Sequence, residues 1–113
     1  MHEVLQLPER PTAIFAGSDV MAAGALRAIH EAGLRVPQDL SLVSFDDLPL
    51  ASILTPPLTT VHQPLHELGM AAADLLLNRL ESPDEHQPSH VRLPTHLVVR
   101  ESSGVLSASR TQS

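Results

Sequence analysis

Of the 113 residues, 13 are acidic and 7 are basic, leaving a formal charge of −6, and lysine and cysteine are both missing. The basic residues are all arginines, scattered from Arg10 to Arg110 without a run, so the chain has no clustered basic face with which to dock on phosphates by itself. Without lysine or cysteine there is no P-loop, no Schiff base, no thiolate nucleophile, no disulfide and no thiolate-held metal.

Residues 1–10 read as a lead-in to one small domain. Met1 to Glu9 has no positive segment followed by an apolar run, and nowhere do about 18 apolar residues follow one another. The expectation is a soluble, cytoplasmic chain with no membrane partner. Pro11 to Ala16 is a short apolar run opened by a proline and closed by Gly17-Ser18-Asp19, which predicts a buried strand ending in a turn. Ser18 or Asp19 is placed to cap a helix in which Ala22, Leu26 and Ile29 recur at helical spacing, with Arg27 and Glu31 opposite. Gly33 is placed to end that helix, and Leu34 to make the apolar contact that accompanies such an end.

Val36 to Asp39 is a turn, and Leu40 to Phe45 reads as a second buried strand, apolar except for Ser41 and Ser44, that stops at Asp46-Asp47. Strand, helix and strand in this order predict a parallel βαβ unit with a right-handed crossover. Both strands then finish on one sheet edge, which carries Ser18, Asp19, Asp46 and Asp47 where open α/β sheets bind ligands.

Leu48 to Leu54 contains Pro49 and reads as a loop or short turn of helix, and the proline-rich run from Pro56 to Pro64 as extended chain. A second helix follows Pro64, with Leu65, Leu68, Ala72, Leu75, Leu76 and Leu80 as one apolar stripe. Glu81 to Ser89 is a polar loop, and Val91 to Arg100 reads as a last strand with Pro94 at an edge or at its start. Glu101 to Ser113 is Ser-rich with little to bury, and from residue 104 onward a disordered tail is expected.

Asp46-Asp47 is the strongest polar signal, because adjacent carboxylates repel unless something uses them. They fit an acceptor site for ligand hydroxyl or amine groups, a metal or phosphoacceptor pair, or an Asx-turn closing the strand. Ser18-Asp19 fits a helix cap, and gains interest only by sharing the edge with Asp46. The pairs His62-x3-His66 and His86-x3-His90 have tempting metal spacing, yet Pro64 interrupts the first and the second lies in a Pro-rich loop, so no metal site is expected. No Gly-x-Ser-x-Gly elbow occurs, so no catalytic residue is assigned and the chain does not read as an enzyme. The apolar Leu48 to Leu54 segment fits either core or a subunit interface.

Taken in order, Pro11-Thr-Ala-Ile-Phe-Ala-Gly-Ser-Asp19, Ala22-Ala-Gly-Ala-Leu26, Gly33-Leu-Arg-Val-Pro37, Ser44-Phe-Asp-Asp47, Pro56-Pro-Leu-Thr-Thr60, Gln63-Pro64, Leu68-Gly69 and Leu97-Val-Val-Arg-Glu-Ser102 resemble the C-terminal blocks of LacI/GalR-family transcriptional regulators, over residues 11–103. The resemblance implies an α/β fold, a parallel-sheet βαβ fragment of a periplasmic-binding-protein-like (type I) two-lobed domain. It implies a small effector, often a sugar or nucleobase and here expected to be a sugar, held in the cleft between lobes, a homodimer, no cofactor, and operator DNA bound only through a helix-turn-helix that lies outside this chain. By the same resemblance Asp46 accepts hydrogen bonds from the effector and Ser18 faces it. Gln63 and Leu65 fall where a crossing segment meets the cleft, and Ile53 and Leu54 at the dimer interface. The rival readings are part of a transport-associated sugar-binding protein of the same fold, and a small magnesium-dependent enzyme using Asp46 and Asp47.

Overall fold

The computed structural model describes residues 1–84 and 88–107. It divides into two units, Met1–His62 with Leu97–Ser113, and Gln63–His96. In the first unit a single helical turn, α1 (His2–Leu5), precedes the strand β1 (Ala13–Phe15). The lead-in is therefore partly helical, and Met1 and Leu5 rest against the core.

Helix α2 (Asp19–Glu31) follows the expected pattern closely at both ends. The side chain of Ser18 caps it, accepting a hydrogen bond from the Met21 amide at 3.2 Å, so one of the orphan donors of the first turn is satisfied locally. At the other end Gly33 adopts φ +74°, its amide donates to His30 O at 2.9 Å, and the Leu34 amide reaches back to Ile29 O at 3.1 Å. These two bonds make a Schellman motif, which needs a left-handed residue at Gly33. A Cβ there would meet no atom within 4 Å, so the only penalty of a side chain is backbone strain. Gly33→Ala is expected to cost about 1–2 kcal/mol, read as a lower urea midpoint with an unchanged denaturant slope; no shift in the midpoint would show that the motif does not constrain the chain.

The strand β2 (Ser41–Asp46) pairs parallel with β1, Ala13 opposite Ser41 and Phe15 opposite Val43, as the βαβ reading requires. After β2 the short helix α3 (Pro49–Ile53) begins with proline at its first position, where a missing amide costs no hydrogen bond. The next strand, β3 (Thr59–His62), also pairs parallel with β2, Val43 opposite Thr59 and Asp46 opposite His62. The run from Pro56, expected only to be extended, is thus a third parallel strand once past its prolines. The sheet order is β1-β2-β3-β4, where β4 is His96–Val98. The last strand is shorter than the expected Val91 to Arg100: Pro94 has no amide to give a ladder, and regular pairing starts only beyond it.

Leu26 and Ile29 from α2 meet Leu40, Leu42 and Leu58 from the strands and their approaches, and all five are almost fully buried. The Ser-rich stretch after Arg100 departs from expectation. Ser102 is fully buried, its amide donates to Pro57 O, its carbonyl accepts from the Leu42 amide, and its hydroxyl donates to Leu42 O while accepting from the Thr59 amide. A residue too polar to be core is buried here because it satisfies the backbone groups left over where the β2–β3 ladder begins. Gly104 continues the attachment through both its amide and carbonyl to the Ser41 hydroxyl. The rest of the expected tail, 108–113, lies outside the described residues.

The second unit carries α4 (Leu65–Glu81), the helix expected after Pro64. Its apolar stripe has no covering partner among the described residues: α4 buries none of its residues, and Leu68, Leu76 and Leu80 are exposed. Helical spacing of leucines sets which face is apolar; burial needs a partner surface as well. Among the described residues no helix is long and apolar enough to cross a membrane.

Candidate functional site

Because β1, β2 and β3 run parallel, their carboxyl ends lie at one edge of the sheet, and the polar residues that follow them gather there. Ser18 follows β1. Its hydroxyl oxygen is used as a cap acceptor, which leaves its proton available for donation to another group. β2 ends in Asp46, and Asp46 and Asp47 have φ +123° and +61°. Two consecutive residues other than glycine in this region are costly, by about 1–3 kcal/mol each, and persist only where surrounding contacts over-determine them.

Two sets of contacts do so. From below, the fully buried carboxyl of Asp19 accepts from the Leu48 amide at 2.6 Å through Oδ2, and from the Ser44 and Thr60 hydroxyls at 2.6 and 2.7 Å through Oδ1. From the side, Asp47 Oδ1 accepts from Arg100 Nη2 at 2.7 Å, and Oδ2 from His62 Nδ1 at 2.9 Å. A carboxylate only accepts, so His62 carries its proton on Nδ1 here. Arg100 also donates through Nη1 to Leu58 O at 3.0 Å, tying the segment just after β4 to the residue entering β3. Burial pushes the Asp47 carboxyl up, but the hydrogen bonds from Arg100 and His62 together with the charge of Arg100 outweigh it and hold Asp47 below the usual carboxylate range.

The two adjacent aspartates therefore divide their tasks. Asp47 turns inward to a guanidinium and an imidazole, while Asp46 stands half-buried at the end of β2, opposite His62 in register. A magnesium site built from both carboxylates would have to compete with Arg100 for Asp47, which weakens that reading on electrostatic grounds. Among the described residues no three His, Asp or Glu side chains group as a metal site. His62 is engaged with Asp47, and His86 lies outside the described residues.

The other sequence-derived candidates are placed as follows. Ser18 and Asp46 end neighbouring strands of the first unit. Gln63 and Leu65 belong to the second, Leu65 opening α4 with nearly half its surface exposed. Ile53, at the end of α3, is 77% exposed, whereas Leu54 packs partly against the core. Leu54 and Thr55 also line a shallow groove of about 310 Å³ with Ala23, Arg27 and His30 of α2. This groove is away from the strand ends.

Sequence reasoning missed Arg100 and His62 as partners of Asp47, and read Asp19 as a helix cap or a residue of the strand edge, not as a buried acceptor. The signals for Asp19 were present: positions 19, 22, 26 and 29 share one helix face, and Ser44 and Thr60 are hydroxyls inside apolar runs. Buried polar groups pair, so these three were candidates for one another. Nothing local links Arg100 to Asp47, which are brought together only by the sheet.

Comparison with known proteins places this geometry among relatives. Residues 1–103 match the family model described as a periplasmic binding protein-like domain. The ribose operon repressor of Escherichia coli strain K12 is 48% identical over 87 residues, which cover 77% of this chain and 26% of that protein. A LacI family transcriptional regulator from Enterococcus faecium, solved with bound ribose, is similar in structure with a TM-score of 0.81 at 36% identity, over 93% of this chain and 38% of the other. The lac repressor dimer, solved with operator and the anti-inducer ONPF, has a TM-score of 0.73 at 41% identity, over 86% of this chain and 32% of the other. The chain spans about a quarter of the length of the curated relative and about a third of the solved ones.

Proposed function

The chain belongs to the periplasmic binding protein-like domain family, in the C-terminal sensor part of LacI-family regulators, and from that premise we propose that it supplies part of the effector site and of the dimer surface of a ligand-controlled transcriptional regulator. The observation that carries this reading is the turn at Asp46–Asp47, two strained residues at the carboxyl end of a parallel strand with Asp47 committed inward. Asp46 accepts hydrogen bonds from the effector's hydroxyls, and the Ser18 hydroxyl donates a further one. The effector is a sugar; ribose is the first choice because a related repressor is named for the ribose operon and a related regulator was solved with ribose. The likeness to named repressors favours this reading over a transport-associated binding protein.

In this scheme the effector favours one arrangement of the sensor and thereby shifts operator affinity, by as much as its affinity differs between arrangements. Operator contact belongs to other parts of the regulator, since the seven arginines of this chain are scattered along the sequence without a run. Ile53 and Leu54 lie in the subunit contact, which agrees with the exposed Ile53 and the groove beside Leu54.

The test is a chimera in which residues 1–103 replace the matching part of the E. coli ribose operon repressor. Asp46→Ala in that chimera is expected to weaken ribose binding by tenfold or more, because a hydrogen bond to a charged group is worth about 1.5–3 kcal/mol. Ligand-free operator affinity should stay the same. Calorimetric ribose titration that returns an unchanged affinity removes Asp46 from the site.

A further inference from the structure

We infer that Asp19 is the positioning residue of the Asp46–Asp47 turn, holding it in shape through the Leu48 amide rather than merely filling the core. Calling that turn the effector's rests on the function proposed above; the anchoring itself does not.

The carboxyl of Asp19 has no solvent exposure and is reached by three donors from three different segments: the Ser44 hydroxyl in β2, the Thr60 hydroxyl in β3 and the Leu48 amide just after the turn. The two oxygens do different things. Oδ1 takes both hydroxyls and so joins α2 to the middle of the sheet. Oδ2 takes only Leu48 N, the first amide beyond the two residues with positive φ. Leu48 is also the residue that caps α3, with extended backbone, so its amide is not needed by the helix. Without Asp19 this partly buried amide would lose its partner, and the main support of the turn from below would go with it. Ser18, one residue earlier, caps α2 at the same strand edge, so a single step of the chain ties the helix start to the turn.

The two oxygens make the idea testable on the 113-residue chain. Thr60→Val removes a hydroxyl from Oδ1 and leaves Oδ2 on Leu48. Asp19→Asn keeps the bond from Leu48 N, which its Oδ1 can accept, and reverses the other two, its amide protons donating to the Ser44 and Thr60 hydroxyls. Asp19→Ala removes all three. Amide exchange of Leu48, followed by NMR beside the global unfolding free energy, separates anchoring from stability. The expected results are Leu48 exchange faster by about tenfold or more in Asp19→Ala, restored protection in Asp19→Asn, and in Thr60→Val a lower global stability with the local opening free energy at Leu48 the same as in the parent chain.

Leu48 protection that falls in step with global stability in Thr60→Val, or that survives in Asp19→Ala, overturns the inference. The Thr60→Val arm decides the matter even if Asp19→Ala does not fold. Exchange at Leu48 needs no effector, so failure here is distinct from failure of the Asp46→Ala chimera, which bears on the functional reading alone.

Discussion

Leu42→Ala is expected to destabilise the chain by about 2–5 kcal/mol, the range for emptying a well-packed aliphatic site. Leu42 is the second residue of β2 and has no exposed surface, and the leucines and isoleucine of its cluster, Leu26 and Ile29 of α2 with Leu40 and Leu58 just before β2 and β3, cannot close on the space without shifting. Its backbone amide and carbonyl are both bonded to Ser102, and alanine keeps those bonds, so the loss is one of packing alone. Small domains have folding free energies of about 5–15 kcal/mol, and a loss of this size leaves a weak one largely unfolded. Urea unfolding followed by circular dichroism measures it, with Val105→Ala as the control, because Val105 is 93% exposed and its truncation should change stability by no more than about 0.5 kcal/mol. A loss below about 1 kcal/mol at Leu42 would mean that the core is looser than the burial of its leucines implies.

Arg100→Met is expected to cost about 2–3 kcal/mol, between the value for an exposed ion pair and that for a fully buried one. The pair is mostly enclosed, with the Arg100 and Asp47 side chains 22% and 15% exposed. Methionine preserves most of the stem's packing but leaves Asp47 with one cationic neighbour fewer and Leu58 O without its donor. Adding Asp47→Asn should recover part of the loss, and the double-mutant cycle measures the coupling directly.

The acid limb of stability gives an independent reading. Asp47 has a folded-state pKa below its ordinary value of 3.8, so it contributes stability that is fully present above that value and is lost as the pH falls through the folded value. In Arg100→Met burial acts with less opposition, the carboxyl moves up toward its ordinary value, and the decline in stability below about pH 4 becomes shallower. An acid limb of the same steepness in both proteins would show that Arg100 is not what holds Asp47 down.

The parts of the fold that were legible in the amino-acid sequence are those whose cause is local. The cap at Ser18, the left-handed Gly33 and the 3.6-residue spacing of Ala22, Leu26 and Ile29 each act within a few residues, and the helix they predict is α2 nearly residue for residue. Short apolar runs closed by polar residues located β1 and β2, and the order strand, helix, strand made them parallel, although β1, expected to be buried, leaves Ala13 and Phe15 exposed. Parallel strands end together, so the edge bearing Ser18 and Asp46 is also legible in the sequence.

Where a residue's state depends on what packs against it from far along the chain, local pattern was not enough. Val91 to Arg100 looked like one strand, but a strand exists only where a neighbour's amides and carbonyls meet it, and Pro94 withholds its share. Ser102 looked like tail and is core, because the unpaired backbone at Leu42, Pro57 and Thr59 needs a polar partner more than an apolar one. The leucines of α4 form the stripe that their spacing predicts, and whether a stripe is buried is decided by a partner surface: Leu68, Leu76 and Leu80 lie exposed. At the strand ends the same distinction separates the neighbouring aspartates: their adjacency was evident in the sequence, but which one turns inward was decided by Arg100 and His62, residues that only the sheet brings to Asp47. Local spacing determines conformation through short-range sterics and hydrogen bonds, whereas burial and charge pairing are energies of the assembled structure.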